Sequence, residues 1–152
     1  MEYGSIEREI RIEASPEVVY QVVSTPEHLR EWWPDEAEPG ADGTVRITFG
    51  SADVPDVNAE TLTVVEEDPP RRFAFRWIYD EEQSGSSATS LLVTFDLIPS
   101  GAGTLVRFSE TGFREKGWEG AVLEEQYAEH ATGWDYFLPR LVAYVDRLVS
   151  TP

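Results

Sequence analysis

The most regular pattern in the chain lies in its last quarter. Between residues 118 and 149, Tyr127, Ala131, Trp134, Leu138, Leu141, Val145 and Leu148 recur at alternating spacings of four and three, the repeat of one helical face. Glu124, Glu125, Glu129, Asp135, Asp146 and Arg147 fall on the opposite face, so the apolar stripe needs a surface to cover it. Upstream, the repeat changes from helical to alternating. Ile6, Ile10 and Ile12 alternate with Glu7, Glu9, Arg11 and Glu13, which predicts a strand over 6–14 with one wet face. Further strands are predicted over 44–49, 57–66, 72–79, 90–98 and 104–111. In the strand 72–79, Phe73, Phe75, Trp77 and Tyr79 share one side, and Arg72, Ala74 and Arg76 the other. A curved antiparallel sheet closing on one long helix satisfies both patterns.

Between the first strand and the rest, Ser15-Pro16-Glu17 and Thr25-Pro26-Glu27 each place a capping hydroxyl, a proline and an acid where a helix begins. Two short helices, 16–24 and 26–32, follow from this, and Trp32-Trp33-Pro34 ends the second. Acidic residues with Pro39 and Gly40 make 35–42 a predicted loop. The polar run 80–89 reads as a mobile hairpin connection.

Composition narrows the partners. The 152 residues suit one domain, 1–152, and are enough for a sizeable core. With 29 acids against 12 bases the net charge is -17, a field that disfavours nucleic acid and anionic membrane surfaces. The acids are spread along the chain, in keeping with a highly soluble surface. Cysteine is absent, which excludes disulfides, thiolate metal sites and a cysteine nucleophile. The opening residues carry neither a basic leader nor an apolar run, and no stretch reaches the ~18 apolar residues of a membrane span, so a cytoplasmic protein is expected.

Four segments carry a family resemblance: IEASPEVVYQVVSTPEHLREWWP from Ile12, EDPPRRFAFRW from Glu67, GAGTLVRFSETGF from Gly101 and HATGWDYFLPRL from His130. Together, and in this order, they resemble the activator of Hsp-ninety ATPase homologue family, within the START and birch-pollen-allergen-like superfamily. The resemblance implies an α+β helix-grip fold: an antiparallel sheet of about six strands around the C-terminal helix, with two short helices after the first strand and a cavity between sheet and helix. Its superfamily implies lipid, sterol, flavonoid or polyketide ligands, or aromatase and cyclase activity. Its eukaryotic namesakes stimulate a chaperone ATPase and carry a further N-terminal domain, for which no room is expected here. Pro139 departs from the family's closing helix and is expected to kink it or to loosen the turn around Asp135.

Candidate chemistry is sparse. His130 lies at the border of the helical stripe, with two readings: a hydrogen-bonding or acid/base group pointing into a cavity mouth, or a partly exposed ring satisfied by a neighbour, which is the favoured one. His28, in the second helix, reads as a surface residue. The two histidines lack metal-ligand spacing, so no metal or cofactor is expected. Arg107 and Glu110 lie on opposite strand faces, so one charge faces inward by phase. An unpaired buried charge is unfavourable, which favours the strand end or the wet face for that charge. Gly101 and Gly103 mark a hairpin turn, and no nucleophile motif is present.

The remaining signal is aromatic. Trp33, Phe49, Phe75, Trp77, Tyr79, Phe95, Phe113, Tyr127, His130, Trp134 and Leu138 form the predicted ligand-binding set, with Phe73 and Phe137 in the same aromatic complement. The same rings also suit a filled core. Trp77, Tyr79, Tyr127, His130 and Trp134 are favoured as the pocket, because in the resembled fold the sheet stands away from the first half of the helix. The expected function is binding of a small hydrophobic or aromatic molecule without covalent chemistry, by a monomer or homodimer. A cyclase- or hydrolase-type enzyme using His130 or Glu110, and a chaperone- or regulator-binding module, are the alternatives.

Overall fold

The computed structural model describes residues 5–40, 43–49, 58–77, 90–113 and 120–150. In chain order the elements are β1 (Ser5–Ile12), α1 (Pro16–Ser24), α2 (Pro26–Trp32), β2 (Glu36–Pro39), β3 (Thr44–Phe49), β4 (Asn58–Asp68), β5 (Arg72–Trp77), β6 (Leu91–Ser100), β7 (Gly103–Thr111) and α3 (Gly120–Ser150). Among the described residues the strands form one seven-stranded antiparallel sheet in the order β1-β7-β6-β5-β4-β3-β2. From β2 to β7 the chain meanders, and β1 returns to pair with β7. With α3 packed across it, this is the predicted α+β helix-grip arrangement, with one strand more than expected.

The short helices form for the reasons visible in their sequences. Ser15 Oγ accepts from Val18 N, and Pro16 occupies the first turn of α1. Thr25 serves both helices: its N–H closes α1 on Gln21 O at 3.1 Å, and it stands at the N-cap of α2. Trp33 then leaves helical geometry, which sets its ring in the interior beside Trp32, whose Nε1 donates to Val22 O at 3.3 Å. One helix-facing row runs across the strands as Ile6, Glu110, Val93, Phe75 and Val64, and the next as Phe108, Phe95 and Phe73. Trp134, Leu138, Leu141 and Val145 of α3 close over the sheet, and all four are buried. Burial of these apolar side chains, at roughly 1.5–3 kcal/mol each, is what holds helix to sheet.

Several expectations change. Residues 36–39, read as part of a loop, form β2, because Ala37 pairs opposite Ile47 and is buried. The strand is short and acidic, which suits an exposed sheet edge. β4 extends to Asp68 and contains a bulge between Val64 and Glu66 that turns Val65 outward to 51% exposure. Leu148 is exposed rather than part of the buried stripe, since it lies beyond Val145, the last buried residue of α3. The helix runs unbroken through Pro139, which sits on its exposed side. His28 is half-buried rather than superficial, with Nδ1 2.7 Å from Tyr144 Oη. Val57, Tyr79, the connection 80–89 and the expected start of the helix at Trp118 lie outside the described residues.

On the outer face, charges alternate from strand to strand. Arg107 pairs with Glu9 at 2.9 Å, and Arg72 with Asp96 at 2.6 Å and Glu66 at 3.5 Å. Arg107 thus takes the wet face. These pairs are too exposed to contribute much to stability.

Candidate functional site

Alternation in β7 turns Val106, Phe108 and Glu110 to the same side, toward α3. Glu110 is therefore carried into the core, where it is 0% exposed and lies between Ile6 on one neighbouring strand and Val93 on the other. Neither neighbour offers a hydrogen bond from its side chain, so the carboxyl group must find donors elsewhere. It finds three. Trp77 Nε1 donates to Oε2 at 2.7 Å, Trp134 Nε1 to Oε1 at 2.8 Å, and His130 Nδ1 lies 2.9 Å from Oε1. An indole N–H only donates, so each carboxyl oxygen accepts at least one hydrogen bond. The position corrects the expectation of a charge on the wet face. Burial is tolerable because donors from β5 and α3 replace the lost water.

His130 and Trp134 reach the same carboxylate because they are four residues apart on one helical face. Trp77 comes from β5, reaching across β6. The imidazole is held between rings, with Trp77 at 5.7 Å and Phe113 at 5.4 Å between centroids. Phe113 gains its place from Gly112, whose φ of 104° and close approach to Ser90 O leave no space for a side chain. With Nδ1 engaged by Glu110, Nε2 is the ring nitrogen of His130 left for other partners.

Above this network lies a pocket of about 190 Å³ lined by Trp33, Phe49, Trp77, Glu129, His130, Gly133, Trp134 and Phe137. Trp33 is its centre of packing, with ring centroids 5.1 Å from Trp77, 5.0 Å from Trp134 and 5.9 Å from Phe49. A larger hollow of about 530 Å³ lies among Glu7, Arg8, Glu9, Asp96 and Arg107. Arg8, Glu9, Asp96 and Arg107 there already pair with Asp135, Arg72 and one another, whereas the smaller hollow is walled by aromatic rings.

Of the predicted set, Trp33, Phe49, Trp77, His130 and Trp134 come together on the pocket wall. Phe75, Phe95, Phe113 and Leu138 are buried in the core beneath or beside it. Tyr127 instead ties α3 to the sheet edge, donating from Oη to Ser5 O at 2.9 Å. Tyr79 lies outside the described residues. Glu129, Gly133 and Phe137 were not in the set. Gly133 carried a signal, since a glycine inside a helix costs about 1 kcal/mol relative to alanine and marks a place with another reason for it.

Among the described residues no three His, Asp or Glu side chains gather to hold a metal ion, and no helix is long and apolar enough to cross a membrane.

Residues 13–146 match the family described as Activator of Hsp90 ATPase homolog 1-like protein. The chain belongs to that family. No curated protein matches it in sequence. Solved structures share the Activator of Hsp90 ATPase homolog 1-like fold. Protein MLL2253 from Mesorhizobium loti is 23% identical, with a TM-score of 0.72 over 94% of this chain and 97% of that one. The Aha1 dimer from Colwellia psychrerythraea is 24% identical, with a TM-score of 0.67 over 91% and 92%. DynU16, from the dynemicin biosynthetic locus, is 20% identical, with a TM-score of 0.68 over 94% of this chain and 47% of its own.

Proposed function

We propose that the protein binds a small hydrophobic or aromatic molecule in the pocket between the sheet and the first half of α3, without covalent chemistry. The observation that carries this reading is the pocket wall: five aromatic rings on a rigid core, with the hydrogen-bonding edge of His130 among them. A buried network that fixes Trp77, Trp134 and His130 at once pre-organises that wall, which lowers the ordering cost of binding. The location of DynU16 in a biosynthetic locus is in keeping with a small-molecule role. The continuity of one core from Ile6 to Val145 supports reading 1–152 as a single START-like domain. The test is a titration of tryptophan fluorescence with a panel of polyphenols and lipids. A saturable change that disappears in Gly133→Leu is expected, and the absence of any saturable ligand counts against the reading.

One observation favours a second reading, an enzyme of the cyclase or hydrolase type. Glu110 holds His130 by Nδ1, the arrangement that orients an imidazole for acid/base work at Nε2. Turnover of a polyketide-like substrate that is lost in His130→Ala, with folding and binding retained, distinguishes it from binding alone.

A further inference from the structure

The charge around the pocket narrows the class of guest. Among the described residues, five of the eight that line it are aromatic, one is the carboxylate of Glu129, and none is lysine or arginine. Directly beneath, Glu110 is a second carboxylate, wholly buried. Its partners are the two indole N–H groups and His130 Nδ1. The two indoles that donate to Glu110 are also walls of the pocket. Donation to an anion pushes electron density back onto an indole ring, making its face a better seat for positive charge. One ring of the wall already takes a cation: exposed Arg140 stands over Phe137 at 5.7 Å and over Tyr136 at 5.5 Å.

The geometry points to a compact organic cation, a quaternary ammonium or a protonated aromatic amine, as the guest of this pocket; this rests on reading the hollow as a ligand site. Tryptophan faces attract such cations, most strongly where water is excluded. An anionic guest meets two carboxylates and the -17 net charge of the chain. Size sets the other bound. A cavity of ~150 Å³ accommodates benzene, so about 190 Å³ holds one ring with a small ammonium group.

Trimethylphenylammonium and tert-butylbenzene have nearly the same shape and differ in charge, and their affinities for the full chain can be compared by fluorescence and calorimetric titration. Binding of the cation at least tenfold tighter is expected, with the preference falling severalfold in Glu129→Gln and in Glu110→Gln. Glu129 lies at the surface, so its substitution tests charge without disturbing the core. Equal or tighter binding of tert-butylbenzene that is lost in Gly133→Leu overturns the cation assignment and leaves the ligand site standing. A preference unchanged in both glutamine variants overturns the role given to the carboxylates. Saturable binding of neither compound overturns the cation assignment, and failure of the polyphenol and lipid panel as well removes the ligand site itself.

Discussion

Glu110 Oε1 accepts from Trp134 Nε1 across 2.8 Å at a point where the carboxyl group is 0% exposed. The same contact joins strand to helix, core to pocket wall, and charge to aromatic ring. Removing the acceptor leaves two buried indole N–H groups and the half-buried His130 Nδ1 without their partner, each costing about 1–3 kcal/mol. Glu110→Ala is therefore expected to lower stability by at least ~3 kcal/mol in urea unfolding at neutral pH. Glu110→Gln keeps one good acceptor and is expected to lose about half as much. A loss under ~1 kcal/mol for the alanine variant would mean that the network does not bind α3 to the sheet.

Gly133 separates stability from binding. A methyl group added there meets no atom within 4 Å, and glycine inside a helix is disfavoured. Gly133→Ala is expected to raise stability by about 0.5–1 kcal/mol, whereas Gly133→Leu fills the pocket and abolishes binding while the protein stays folded. Thermal unfolding and ligand titration on the same two variants separate the effects.

The ion pair of Arg8 with Asp135, at 2.8 Å, fastens the edge strand β1 to α3. Its hydrogen bond and charge hold the Asp135 carboxyl below its usual 3.8, against the opposing effect of burial, and raise Arg8 correspondingly. A carboxylate whose folded pKa is depressed contributes its full stability above the unfolded value and loses it as pH falls through the folded one. Both side chains are partly solvent-exposed, at 34% and 57%, so screening limits the contribution to about 0.2–1 kcal/mol. Asp135→Asn should be less stable than the parent at neutral pH, by this amount, with the difference vanishing as pH falls through the depressed folded pKa and shrinking in high salt. A difference that persists in strong acid would assign the effect to something other than the ion pair.

Local repeats explain how much of this was legible in the sequence. The stripe Trp134, Leu138, Leu141, Val145 and the alternation Phe73, Phe75, Trp77 depend only on neighbours a few residues away, and both appear as read. Alternation names a face without giving depth along it, which is why Trp77 reaches the pocket while Phe75 and Phe95 lie in the core. β2 has one apolar residue, Ala37, between acids, and it becomes a strand only by pairing with β3. Glu110 was in phase with the interior, yet its donors stand 20, 24 and 33 residues away in the chain. Long-range compensation of that kind leaves no local trace, so a rule about isolated buried charges pointed the wrong way.

The position of the guest is tested most directly by the indole N–H signals in a nitrogen-proton correlation spectrum. Five tryptophans give five such signals, and the neighbouring pair Trp32 and Trp33 provides an internal control. Trp32 is fully buried and donates to Val22 O, away from the pocket, whereas Trp33, Trp77 and Trp134 line it. On titration with a bound aromatic ligand, the Trp33, Trp77 and Trp134 signals should move together and saturate while that of Trp32 stays fixed. Movement of Trp32 with the other three unchanged would place the guest elsewhere and contradict the site.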